Sequence, residues 1–188
     1  KIAWGLDDYA AFIATFIEKT NVRPYAIIGH SNGGAIAIRG LANKVFVTDR
    51  LVLLASAGIR GEYKGRNYAL RMVAKSGKLL TKPLPATTQR KLKRKVYQTI
   101  GSDMLVAEHL QETFKKVISD DVRPDAAKLK LPTLLVYGDN DEQAPLRYGE
   151  IFSRLIPGSK LEMMSGGGHF VHLDRPAETI GLVEEFLS

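Results

Sequence analysis

Leu6, Tyr9, Ala10, Ile13, Phe16 and Ile17 recur at three- and four-residue spacing, and Asp7 and Asp8 stand at the head of the run. This period predicts an amphipathic helix over about residues 6–20, with its acidic start complementing the helix dipole. Asn21 and Pro24 break the pattern. The next segment, Tyr25-Ala26-Ile27-Ile28-Gly29, is too short for a helix and apolar on both faces, which fits a buried parallel strand. From Asn32 to Ala42 the residues are small and apolar nearly all round, with Arg39 as the only charge, so a helix sunk against a sheet is expected. Leu51-Val52-Leu53-Leu54-Ala55 then reads as a second buried strand.

The alternation stops over residues 56–128. Pro83 and Pro85 punctuate this stretch, Thr87 or Thr88 can cap a helix reaching Thr99, and Ser102 can cap another reaching about Ile118. It is read as a helical insertion between two core segments, 1–55 and 129–188. Within the second segment, Pro132 to Gly138 resumes the strand pattern. A helix follows at about 146–156, then a strand at Lys160-Leu161-Glu162-Met163-Met164 and a last helix opening near Pro176. Strands alternating with helices define an α/β layout with a parallel sheet. No apolar run approaches the roughly 18 residues of a membrane span.

Composition narrows the chemistry. The 188 residues are 45% hydrophobic and 25% charged, as in a globular chain. The absence of cysteine removes disulfides, thiolate nucleophiles, zinc–thiolate sites and iron–sulfur clusters, without fixing the redox compartment. The net charge of +7 is local: Arg60 to Lys95 carries twelve Lys and Arg residues against Glu62 alone. This stretch lacks a recognition motif and has few interleaved aromatics, so nucleic acid is not expected as a partner. The basic run is expected to be a solvated face, with substrate capture or membrane-surface contact as its functional alternatives.

Gly29-His30-Ser31-Asn32-Gly33 is G-x-S-x-G between a buried strand and a buried helix. To project its hydroxyl from such a turn Ser31 must take a strained backbone conformation, and the glycines two residues to either side remove Cβ atoms that would clash. The amides opening the helix, beginning with that of Asn32, point where an oxyanion would form. A serine nucleophile also needs a base and a group to orient that base. Gly138-Asp139-Asn140-Asp141 ends the third strand and Gly166-Gly167-Gly168-His169 follows the fourth, so these candidates share the C-terminal sheet edge with Ser31. Two other readings of the glycines fail. Ser31 occupies the position of the second glycine of a dinucleotide fingerprint, and Gly166 to Gly168 lacks the Lys-Ser/Thr of a P-loop. His30 and His172 are read as local hydrogen-bonding residues and His109 as part of an insertion helix. His169-x-x-His172 lacks further ligands for a metal.

These motifs resemble the α/β-hydrolase superfamily, in the branch with a helical cap. Gly29 to Gly34 is similar to its nucleophile elbow, Gly138-Asp139-Asn140-Asp141 with Pro145 to its acid loop, and Gly168-His169-Phe170 with Arg175-Pro176-Ala177-Glu178 to its histidine loop. The resemblance implies a parallel sheet with helices on both faces, residues 56–128 as the cap, and a triad of Ser31, Asp141 and His169. Family position selects Asp141, with Asp139 left as a turn former bonding to nearby amides. It further implies a cofactor-independent serine hydrolase without a metal, acting on a small-molecule ester or other acyl substrate, with Asn32 N–H in the oxyanion hole.

Thioesterase, lipase, carbon–carbon bond hydrolase, acyltransferase and haloperoxidase activities share this triad. A noncatalytic ligand-binding module of the same shape is the alternative from another class. The family's sheet usually has about eight strands, of which this sequence supplies the last four. A further segment, in the same polypeptide or a second chain, is expected to complete the sheet along residues 25–29 and to provide the second oxyanion amide. A cytoplasmic location is the working expectation.

Overall fold

The computed structural model describes residues 2–60 and 110–188. Most of the expected cap, including the predicted helix ending at Thr99, lies outside them, as do His109 and all of the basic run after Arg60. In chain order the elements are α1 (Leu6–Thr20), β1 (Ala26–His30), α2 (Asn32–Ala42), β2 (Arg50–Leu54), α3 (Gln111–Ile118), α4 (Arg123–Ala126), β3 (Thr133–Gly138), α5 (Leu146–Leu155), β4 (Lys160–Met164), α6 (Val171–Asp174) and α7 (Pro176–Leu187). The four strands form one sheet in the order β1-β2-β3-β4, and every neighbouring pair is parallel.

The period-two alternation of strand side chains divides the core between the two faces of this sheet. Leu51, Leu53, Leu135 and Tyr137 pack with Leu6 of α1, Ile38 of α2 and Phe152 of α5. Val52, Leu54, Leu134 and Val136 pack on the other face with Leu182, Val183 and Phe186 of α7. Helices thus cover both faces, which is why β2 and β3 read as unbroken apolar runs. Val117 of α3, Val122 just before α4 and Ala126 within it join the first cluster. The four-residue helices α4 and α6 are too short to leave a periodic signal, and periodicity misses both.

Two expectations from the pattern are corrected. The strand at β1 is not buried on both faces: Ile28 is 52% exposed, because β1 is a sheet edge among the described residues and α7 packs over β3. The stripe on α1 is also only partly covered. Leu6 and Ala10 are buried, whereas Phe16 is 62% exposed. With Ile13, Ile17, Ile27, Ile28 and Phe46 it lines an open groove of about 420 Å³ between α1, β1 and α2.

Arg39, the one charge of α2, anchors the first core cluster to the chain around it. Its guanidinium donates to Asp125 Oδ2 at 2.6 Å, Asp7 Oδ2 at 3.0 Å and Asp120 Oδ1 at 3.2 Å. Burial opposes its charge, but the bonds it donates to Asp125 and Asp7 outweigh that effect and raise its pKa. These three carboxylates fix α2 between α1 and the segment leading into β3, and α2 carries Ser31, the candidate nucleophile, at its head.

Candidate active site

Ser31 sits between β1 and α2 with φ 52° and ψ −120°, a region that L-residues avoid at a cost of about 1–3 kcal/mol. The surrounding backbone fixes it there. Ser31 N–H donates to Leu54 O at 3.1 Å, and Ser31 O accepts from Gly34 N at 3.1 Å and Ala57 N at 3.0 Å. The sequence expectation for the flanking glycines holds on one side only. A Cβ on Gly29 would lie 2.7 Å from Gly34 Cα, whereas one on Gly33 meets no described atom within 4 Å. The crowding on the helix side falls one residue later, where a Cβ on Gly34 would lie 2.2 Å from Ser56 Oγ.

Ser56 is fully buried and short, so it cannot swing aside. Gly34→Ala should therefore cost about 1–3 kcal/mol through overpacking. Thermal unfolding of Gly34→Ala and of Gly34→Ala/Ser56→Gly checks this. The double variant should recover most of the lost melting temperature, since it removes the atoms in conflict.

The acid and histidine loops leave the neighbouring ends of β3 and β4 and pack backbone to backbone. A Cβ on Gly138 would lie 2.1 Å from Gly167 O, so only glycine permits this approach. Asn140 N–H donates to Gly167 O at 3.0 Å. Asp141, its side chain wholly buried, accepts the N–H groups of Gln143 and Ala144 at Oδ1, at 2.7 and 2.9 Å. Its other oxygen, Oδ2, lies 2.8 Å from His169 Nδ1, and His169 Nε2 lies 2.9 Å from Ser31 Oγ. Ser31, His169 and Asp141 form one hydrogen-bonded chain across three strand ends.

Asn32 is the first residue of α2, so its amide is among those without an intrahelical acceptor. Asp139 does more than shape its own turn: its Oδ1 accepts Gly166 N–H at 2.7 Å, 27 residues away. Asp174 Oδ2 likewise accepts Gly168 N–H at 2.8 Å, a contact that no motif in the sequence signals. His30 Nε2 lies 2.8 Å from His169 O, and His172 Nδ1 is buried without a hydrogen-bond partner among the described residues. Tyr137, buried beneath the site, donates its hydroxyl to Ser56 O at 3.0 Å, and burial raises its pKa well above the usual phenol value. Among the described residues no cluster of three or more His, Asp or Glu side chains could hold a metal ion, and no helix is long and apolar enough to cross a membrane.

A candidate nucleophile turn after β1, followed by candidate acid and base loops after β3 and β4, matches the arrangement of the α/β hydrolases. The family model described as serine aminopeptidase, S33, matches residues 4–176, and the chain belongs to this family. An esterase from Exiguobacterium antarcticum has the same fold, with a TM-score of 0.71 at 20% identity, covering 100% of this chain and 75% of that one. Monoacylglycerol lipase ABHD6 of Bos taurus is 25% identical over 208 residues, covering 98% of this chain and 61% of its own. The 2-hydroxy-6-oxo-2,4-heptadienoate hydrolase of Pseudomonas putida is 23% identical over 201 residues, covering 100% of this chain and 72% of its own. The chain spans 59–61% of the length of the mycobacterial and mammalian relatives it matches.

Proposed function

We propose that the protein is a serine hydrolase acting on carboxylic esters through an acyl-enzyme on Ser31. The observation that carries this reading is the continuous chain from Ser31 Oγ through the His169 ring to the Asp141 carboxylate, at 2.9 and 2.8 Å. Ser31 Oγ attacks the acyl carbon while His169 Nε2 takes the hydroxyl proton, and Asp141 stabilises the resulting imidazolium. Collapse of the tetrahedral intermediate passes that proton to the departing alcohol. Water, deprotonated by His169, then attacks the acyl-enzyme and releases the acid and free Ser31. Asn32 N–H supplies one oxyanion donor. The names of an esterase and a lipase among its relatives favour an ester over the other acyl substrates that this triad serves.

The reading includes a second component. A strand from a segment outside these 188 residues pairs along β1 and brings the second oxyanion amide with it. Its support is the one-sided pairing of β1 among the described residues, with Ile28 and Tyr25 about half exposed beside the apolar groove. Unmade backbone bonds on such an edge cost about 1–3 kcal/mol each where water is excluded.

Treatment with a fluorophosphonate probe tests both parts. Stoichiometric labelling at Ser31 in the full-length polypeptide, with far weaker labelling of residues 1–188 alone, is the expected result. Silence from the folded full-length protein overturns the hydrolase reading, and equal labelling of the two forms overturns the strand.

A further inference from the structure

His169 is bonded at both ring nitrogens, yet the bond to Ser31 is not permanent in the reaction proposed above. Once Ser31 Oγ is acylated, Nε2 must turn to water with nothing on the nucleophile side holding it. A base that has to work in two successive steps needs a tie independent of the group it deprotonates.

Asp141 keeps its bond to Nδ1 throughout, and His30 provides a second tie, to the main chain of His169. His30 is the last residue of β1, bonded through the chain to Ser31, and its Nε2 lies 2.8 Å from the main-chain oxygen of His169. A carbonyl oxygen only accepts, so the proton of this bond resides on His30 Nε2. Burial holds the pKa of His30 below its ordinary value, which leaves the ring neutral at pH 7 with Nδ1 unprotonated. A neutral ring matters here, because its centroid stands 4.9 Å from that of His169, and a cation would oppose the imidazolium formed during attack. Phe170 and His172 close around the same ring at 5.1 and 4.9 Å.

Besides the bond from Asp141 to the His169 ring, side-chain ties on the histidine loop run from Asp139 to Gly166, from Asp174 to Gly168 and from Arg175 to Ser165 O, and all of them originate on the β3–β4 side. The bond from His30 reaches across from β1, which two strands separate from β4 in the sheet. It therefore sets the distance between the half of the site that carries the nucleophile and the half that carries the base.

We infer that His30 is a positioning residue: its Nε2–H clamps the His169 peptide and keeps the imidazole aligned when the bond to Ser31 is absent. This rests on the ester-hydrolase reading for its kinetic consequence but not for its geometric one. The experiment compares His30→Phe, which keeps a ring and loses the donor, with His30→Gln, whose side-chain amide can donate from nearly the same position, both in the full-length protein. His30→Phe should lower kcat about 10- to 100-fold with KM changed less than about twofold, because misplacement near 1 Å costs rates of that order. His30→Gln should return kcat to within about threefold of the parent.

Nitrogen-15 NMR of the histidines gives a readout that needs no turnover. The Nδ1–H signal of His169, bonded to Asp141, should be sharp in the parent and in His30→Gln and broadened in His30→Phe. Equal damage from both substitutions, or a His30→Phe enzyme with parental kcat and an unchanged His169 signal, overturns the clamp. A parent without ester turnover but with the expected NMR pattern overturns the hydrolase reading and leaves the clamp standing.

Discussion

Replacing Ser31 or His169 by alanine is expected to lower kcat for ester hydrolysis by about 10⁴- to 10⁶-fold, and replacing both should cost little more than replacing either. The non-additivity follows from the geometry. Ser31 Oγ and His169 Nε2 are 2.9 Å apart and share one proton, so each is useful to the chemistry only through the other. The residual rate would come from the oxyanion donor at Asn32 and from substrate binding, which neither substitution touches. Steady-state kinetics on the two single variants and the double variant decide the matter. Losses that multiply would mean that the two side chains act independently, which a nucleophile and its base cannot do.

The second large effect separates two aspartates that are two residues apart. Asp141→Asn should reduce kcat by about 10⁴-fold, the scale of a triad whose histidine is held in the wrong tautomer. Oδ1 of Asp141 already accepts two backbone N–H groups, from Gln143 and Ala144, so an asparagine would keep its carbonyl oxygen there and turn its NH₂ toward His169. His169 Nδ1 must then accept, and its proton moves to Nε2, which faces Ser31 as a donor and cannot act as a base. Asp139→Asn, by contrast, retains an oxygen that can accept from Gly166 N–H, and its kcat/KM should stay within a few-fold of the parent. Comparable losses in the two variants would reverse the assignment of the acid.

What the sequence revealed follows from the kind of signal each feature leaves. Continuous apolar runs and the three- to four-residue period placed α1, α2, β2, β3 and α5 within a residue or so of their observed ends, because burial on both sheet faces imposes those patterns directly. Periodicity could not show which faces stay uncovered. The stripe on α1 and the strand at β1 look like core residues in sequence, although Phe16 and Ile28 are more than half exposed.

The candidate site was legible to the same degree. Ser31, Asp141 and His169, which the structure brings into hydrogen-bonding distance, are signalled by the glycines that let backbone turn or approach closely. Even so, the steric need at the elbow lies at Gly34 rather than Gly33, which only the position of Ser56 reveals. The ties from Asp139, Asp174 and His30 to the histidine loop are hydrogen bonds to main-chain atoms. Such bonds ask only for a donor or acceptor at the right place in space, and no spacing rule encodes that.

The left-handed backbone of Ser31 carries an evolutionary corollary. Glycine is the residue best suited to φ 52°, and it would relax the turn while leaving the four-stranded core untouched. Selection for thermal endurance alone would therefore push position 31 toward glycine, and directed evolution scored on folding would remove the Ser31 hydroxyl before it harmed the scaffold. Keeping a serine there is a standing sacrifice of stability, and under the proposed hydrolase reading it marks the residue where the fold and the chemistry want different amino acids.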